Sequence, residues 1–287
     1  MKITRVLQTI VFLIAALFVQ TAFAGRTVTE EKTIPLKNEK TLETTLDFGA
    51  GELELKSTRS SANLFEGRFT FRPGRIEPEV RYSTSRTVGR LDLETHSIKK
   101  LFSDRDARNE WDLRFSTEVT HAFEINIGAC EAKLDFSDLS IEELSLDLGA
   151  GDCKVTFNTP NPVEMKRLEI SAGASELVIL GLGNARFQRL DFDGGMGDFT
   201  LDFSGDFEGG RHAEISVGLG SIEIRFPPEL GVRVHKDGAF SSVDFDPDLN
   251  EVSDGVWESS NYTRAKNRLT IDLSIGMGSA ELKRAEY

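Results

Sequence analysis

The chain has little of what most enzyme chemistry needs. Its 287 residues include four histidines, His96, His121, His212 and His235, and two cysteines, Cys130 and Cys153. The histidines are scattered without H-E-x-x-H or other ligand spacing, and neither a G-x-S-x-G elbow nor a Walker-type loop occurs. Zinc, serine-hydrolase and nucleotide chemistry of the kinds those motifs carry are therefore excluded. Positive charge is also short, with 34 Lys and Arg against 47 Asp and Glu, a net charge of −13. Nucleic acid and anionic membranes, both polyanions, are poor partners for such a surface. Long apolar runs are missing as well. The stretch from Val11 to Val19 is nine residues, where a membrane span needs roughly 20.

That stretch has a different use. Lys2 and Arg5 precede it and Ala22-Phe23-Ala24 follows it as an A-x-A cleavage site, so residues 1–24 read as a secretory signal peptide. No cysteine follows the site, which speaks against a lipoprotein. Cleavage removes Lys2 and Arg5 and no acidic residue, taking the net charge from −13 to −15. The expectation is an exported chain, periplasmic or on the cell surface, with no membrane span once the signal is cleaved.

What the sequence has in quantity is glycine, and it recurs. In LSLDLGAGDCKVTF, residues 144–157, apolar and polar residues alternate up to Gly149 and resume alternating after Gly151, the pattern of two short strands hinged at glycine. Taking Gly149 as the anchor, its counterparts are Gly49, Gly128, Gly173, Gly195, Gly218 and Gly276, at successive intervals of 79, 21, 24, 22, 23 and 58 residues. A weaker match lies around Gly238. Leucine-rich repeats would need a helix and a fixed Asn in each unit, and propeller blades run to about 40 residues. Short alternating strands at a period of about 21–24 residues instead predict an all-β solenoid, a single-stranded right-handed parallel β-helix with turns about 4.8 Å apart.

The columns of such a stack can be written from the anchors. Five residues before the anchor come Phe123, Leu144, Leu168, Leu190, Ala213 and Ile271, and six after it Leu55, Leu134, Val155, Ile179, Leu201, Ile224 and Leu282. Both columns are inward. The anchor glycines fit a corner that requires positive φ or close backbone approach. The Ala, Leu or Met that follows each is expected to fill the inside of that corner.

Three residues after the anchors stands an acidic column: Glu52, then Glu131, Asp152, Glu176 and Asp198 on consecutive turns. Stacked like charges repel by about 1 kcal/mol per neighbouring pair even in water. The column reads either as a solvated corner, with Lys133 and Lys154 offsetting the repulsion, or as a ladder for Ca²⁺ or another hard cation, with Glu131, Asp152, Glu176 and Asp198 as ligands. Cys130 and Cys153 stand on adjacent turns, two positions out of register. That puts their Cα atoms about 8 Å apart, beyond the usual disulfide limit, and favours free thiols.

Outside the clean repeat the chain divides into residues 25–115 and 116–287. The first carries leading strands that look like sheet edge, the Gly49 hinge and an antiparallel β insertion between Lys56 and Thr117 that would cover one end of the solenoid; residues 97–109 read as a loop or one short helix. The second carries the regular stack, interrupted at residues 246–267 by a hairpin-like excursion before the final turn. Because the chain ends just after that turn, its edge is expected to be masked by Lys283, Arg284 and Glu286 or by a partner.

The serial glycine hinges, the NEWDLRF strand at residues 109–115, and the pattern of residues 231–243, Trp257 and Gly276 together resemble the bacterial toast-rack proteins over residues 30–287. They are also similar to the C-terminal domain of LiaF-type cell-wall-active-antibiotic response proteins. The resemblance implies a right-handed β-helix and an envelope location; this chain differs from the LiaF type in having a cleavable signal where that type has membrane helices. Three functions follow. The first is a non-catalytic envelope scaffold that binds a protein or cell-wall glycan. The second is a glycan-active β-helix enzyme, which needs a groove with paired carboxylates and a basic neighbour. The third is an accessory to cell-envelope stress sensing.

Overall fold

The computed structural model describes residues 27–97, 108–237 and 241–285. The signal segment, most of residues 97–109 and Gly238 lie outside them. In chain order the elements are β1 (Val28–Pro35), β2 (Thr41–Ser57), β3 (Asn63–Phe71), β4 (Ile76–Ser85), β5 (Val88–Ser97), β6 (Asn109–Phe115), β7 (Thr120–Asp135), β8 (Ser140–Thr156), β9 (Arg167–Leu180), α1 (Leu182–Ala185), β10 (Arg189–Asp202), β11 (Gly210–Phe226), β12 (Gly231–Asp237), β13 (Ser241–Phe245), β14 (Leu249–Ser253), β15 (Val256–Ser259) and β16 (Arg268–Arg284). The chain is all-β, one long mixed sheet that does not close on itself.

Seven long strands, β2, β7, β8, β9, β10, β11 and β16, pair parallel in that spatial order. The register is the one the anchors give, with Leu144 opposite Phe123 and Leu168, and Leu190 opposite Ala213. Period-2 alternation buries one face on both sides of each hinge: Leu144, Leu146 and Leu148 before Gly149, and Cys153, Val155 and Phe157 after it. Each large apolar side chain so buried contributes about 1.5–3 kcal/mol. Buried phenylalanines, Phe136, Phe157, Phe203 and Phe226, close the far ends of β7, β8, β10 and β11.

Buried asparagines hold the returns between strands. Asn161 donates to the carbonyls of Ile141 at 2.7 Å and Ala185 at 3.2 Å, and Asn184 donates to that of Phe157 at 2.8 Å. They satisfy backbone groups that a buried loop would otherwise orphan. The return from β9 to β10 contains the one-turn helix α1, which alternation alone does not reveal. Among the described residues no helix is long and apolar enough to cross a membrane.

Both ends depart from sequence order. Beyond β2 lies a turn made in two pieces, β5 along the first half of β2 and β6 along the second, with antiparallel β4, β3 and β1 outside them. Between Lys56 and Thr117 the antiparallel pairs are thus β3 with β6 and β4 with β5, while β5 and β6 themselves run parallel to β2. At the other end the expectation fails. β16 is not the edge: β12 pairs with its first half and β13 with its second, on the side away from β11. Residues that precede β16 in sequence fold outward over it. The hairpin β14–β15 then covers β12, while on the outer side of β13 no strand pairs among the described residues.

A candidate binding face on the glycine corner

The hinge glycines form one column down the corner, crowded by backbone. A Cβ on Gly149 would lie 2.4 Å from the Gly128 carbonyl oxygen, and one on Gly218 would lie 2.7 Å from that of Gly195. Gly128, Gly173, Gly195 and Gly276 meet the preceding anchor in the same way, whereas Gly49 has only ordinary contact with Thr95. Positive φ is found two residues further on, at Gly51, Gly151, Gly197, Gly220 and Gly278. The anchors are thus glycine for close approach, and the second glycine of each pair is glycine for its backbone angle as well.

The residue between the two does not fill the corner. Inward positions stand on both sides of the hinge, so the chain bends convexly around the core and the intervening residue points out. Ala129, Ala150 and Ala174 are exposed, and so are Met196 at 55%, Leu219 at 44% and Met277 at 63%. These residues are in register from strand to strand and form an external ridge.

Beside the ridge runs the acidic column. The structure sets Glu131, Asp152, Glu176 and Asp198 opposite one another on consecutive strands, and extends the row through Glu52 to Glu110. All four named carboxylates are exposed. Past Asp198 the row becomes Ser221, Ser279 and Ser242. Among the described residues, the set whose ligand atoms all lie within 4.8 Å of one another is a different one, Glu79, Glu94 and His96. Glu79 and Glu94 face each other across β4 and β5, and Arg81 reaches them at 2.8 and 3.2 Å. Hydrogen bonds from Arg81 and then His96 hold the Glu79 carboxyl below its ordinary range. Spacing gives no hint of this set, because strand pairing rather than sequence brings it together.

The serine row opens a trough of 510 Å³ on the outer face of β10, β11, β16 and β13. Ser221, Ser279 and Ser242 form one rank; Glu223, Glu281 and Asp244 form the next. Lys283 bridges Glu223 at 3.0 Å and Glu281 at 3.2 Å, and Arg225 pairs with Glu223. Arg225 holds the Glu223 carboxyl below its usual range, with a further contribution from Lys283. A general acid needs a shift in the opposite direction.

Both cysteines are free. Cys153 faces Ala132 across the strand pair, and Cys130 faces Gly151. Burial pushes each thiol up to about 12, so neither is a ready nucleophile or metal ligand.

The family described as the N-terminal domain of toast-rack matches residues 23–176 and again 160–225. No curated protein matches the chain. Among solved structures it is similar to a candidate cell adhesion protein of Clostridium sporogenes at 17% identity, covering 91% of this chain and 100% of that one, with a TM-score of 0.48. It is also similar to a candidate adhesin of Bacteroides fragilis at 11% identity, covering 90% and 98%, with a TM-score of 0.40. At TM-scores below 0.5 neither likeness bears on what this chain binds.

Proposed function

The chain belongs to the toast-rack family, and on that premise we propose that it is an exported, non-catalytic envelope protein whose stacked faces form a scaffold for a cell-wall glycan or a protein partner. The stack is read as a single-stranded right-handed parallel β-helix running from residue 116 to the C-terminus, with residues 25–115 as first hinge and cap. In-register parallel pairing of consecutive strands at the glycine period supports this. The signal-like residues 1–24 support export to the periplasm or cell surface.

The trough carries the reading of function. Ranks of hydroxyls and carboxylates on adjacent strands offer alternating donors and acceptors that match sugar hydroxyls. Protein hot spots are usually aromatic or Arg anchors in desolvated pockets, and the two ranks contain neither. A glycan is therefore the favoured ligand. The glycan-active enzyme is the second reading, supported by the Glu223–Glu281 pair with Lys283 beside it; the lowered Glu223 weighs against it. An accessory role in envelope stress sensing rests on family analogy alone. Of the two readings of the acidic column, its exposure favours the solvated face, and a Ca²⁺ ladder through Glu131, Asp152, Glu176 and Asp198 is the second.

Co-sedimentation with purified insoluble cell-wall glycan tests the proposal. The wild-type chain is expected to pellet with the glycan without releasing reducing ends, and Ser279→Trp, which blocks the trough, should abolish pelleting while leaving the melting temperature unchanged. Equal pelleting of the variant would remove the trough from the function, and release of reducing ends would favour the enzyme.

A further inference from the structure

Past the hinge, the sheet ends on two edge strands that are built differently. Beyond β2 the second halves of the long strands are continued by β6, β3 and β1. Beyond β16 they are continued by β13 alone, although β12, β15 and β14 carry the first halves three strands outward. The hairpin β14–β15 therefore overhangs a place beside β13 that is two strands, or about 10 Å, wide. On β1 the half-buried Glu30 and Lys32 face the core side, opposite Phe69 and Gly67, and Pro35 ends the strand. Inward charge and proline are common guards of a sheet edge. β13, with the sequence SSVDF, has no lysine, no proline and no inward charge. Its Val243 and Phe245 face the core yet stay half-buried, with Phe245 stacked on the half-buried Trp257. At the other end β3 takes the place beside β6. Its Phe65 and Phe69 lie opposite Phe115 and Trp111, and all four are buried.

We propose that the outer edge of β13 receives an extended segment of a partner protein as an added strand, in which apolar residues flank a Lys or Arg. The inference goes beyond the glycan reading of the trough and does not depend on it. The Asp246 N–H donates to the Leu282 carbonyl at 2.7 Å. By strand alternation Ser242 and Asp244 then turn their backbone groups to β16, and Val243 and Phe245 turn theirs outward, where no strand pairs among the described residues. Those groups are free to hydrogen-bond an added strand, the basis of β-strand recognition of peptides. Side chains opposite Val243 and Phe245 fall on the core side, beside Trp257, where apolar residues complete the layer. The side chain opposite Asp244 falls on the outer face. There Glu223 and Glu281 share Lys283, whereas Asp244 is exposed and has no cationic partner among the described residues. An opposing Lys or Arg supplies one. A second copy fits poorly. Two-fold pairing of β13 with itself about Val243 sets Asp244 against Ser242 and leaves it without a cation. It also joins two chains of net charge −13 through five residues of edge, far short of the about 800 Å² that each partner in a stable complex buries.

The test is fluorescence anisotropy at low salt with a labelled peptide, Ser-Val-Thr-Val-Lys-Val-Thr-Ser, and its counterpart with Glu in place of Lys. The Lys peptide is expected to bind about fivefold more tightly than the Glu peptide, and its unlabelled form to shift Trp257 emission to the blue as it covers that ring. Asp244→Lys should invert the preference, which a folding defect does not do. Val243→Pro removes an outward N–H and no bond to β16, and should abolish binding while the protein still melts cooperatively. The proposal is overturned if the Lys peptide does not bind, if Asp244→Lys leaves the preference unchanged, or if Val243→Pro binds equally well. It is also overturned if ultracentrifugation shows a concentration-dependent dimer that Val243→Pro loses, since the edge would then belong to a second copy.

Discussion

The two ends of the stack use one device and finish it differently. In each, a segment lying in sequence between the terminal long strand and its neighbour folds outward to form a split turn: β5 and β6 over β2, β12 and β13 over β16. At the β2 end both pieces are then covered by antiparallel strands. At the β16 end β14 and β15 cover only β12, and β13 keeps its outer side without a strand partner among the described residues. The sealed end carries the buried Trp111, edge-to-face with Phe48 and Phe69 at 5.1 Å. The open end carries Trp257, partly exposed and stacked on Phe245 at 4.0 Å. An open sheet edge is a liability in a structural element. Here it adjoins the serine trough, so the unsealed end is also the end at which the trough lies.

The comparison can be broken most severely at the corner. Gly51 and Gly278 sit on the terminal strands with positive φ, and a Cβ there would lie 2.0 and 1.8 Å from a neighbouring carbonyl oxygen. Valine at either should cost more than about 4 kcal/mol in denaturant unfolding, or prevent folding. A mild effect at Gly278 alone would mean that the β16 end is frayed rather than built.

The tryptophans sharpen the contrast between ends. Trp111→Ala should cost about 3–5 kcal/mol as a core truncation, and Trp257→Ala about 1 kcal/mol, both read from chemical denaturation. Equal costs would erase the distinction between sealed and open.

A pH titration probes the sealed side further. His121 is fully buried on β7, stacked on Phe123 at 5.1 Å, with its Nε2 2.7 Å from the Ser116 carbonyl. Burial lowers its pKa to about 4. The unfolded chain, with an ordinary histidine pKa near 6.5, takes up this proton first as pH falls. Stability from this group is therefore complete above about pH 6.5 and lost progressively down to about pH 4, some 2 kcal/mol of it by pH 5. His121→Phe should flatten that slope between pH 7 and 5; an unchanged slope would assign it elsewhere.

The smallest effect concerns the acidic column. If it holds a cation, Ca²⁺ should raise the melting temperature where NaCl of equal ionic strength does not, and Asp152→Asn should remove the difference while slightly stabilising the calcium-free fold. Equal shifts from the two salts leave a solvated face.

The repeat, its inward columns and the acidic row were legible because each is a one-dimensional pattern that parallel in-register pairing carries unchanged into space. Strands between Lys56 and Thr117 were legible from their turn signals, but the parallel pairing of β5 and β6 with β2 was not. The place of β16 was not, because a repeat count gives the order of turns in sequence and nothing in residues 268–284 announces that earlier residues lie outside them. The exposed ridge was missed for a related reason. Alternation slips by one position at each hinge, so an apolar residue beside a glycine was assigned to the inside when the bend turns it out. Glu79 and His96 lie 17 residues apart, and Asn161 and Asn184 hold neighbouring returns; only strand pairing relates them.

The threading of β16 between β11 and β13 can be tested directly by cross-linking. With Cys130 and Cys153 both replaced by Ala, two double-cysteine variants are oxidised and mapped. Ser221 and Ser279 are direct partners on β11 and β16, about 4.8 Å apart and within disulfide reach, whereas Ser221 and Ser242 have β16 between them at about 9.6 Å, beyond it. A disulfide is expected in Ser221→Cys/Ser279→Cys and none in Ser221→Cys/Ser242→Cys. A disulfide in the second variant and not the first would place β13 directly against β11, and would contradict the fold-back on which the open end depends.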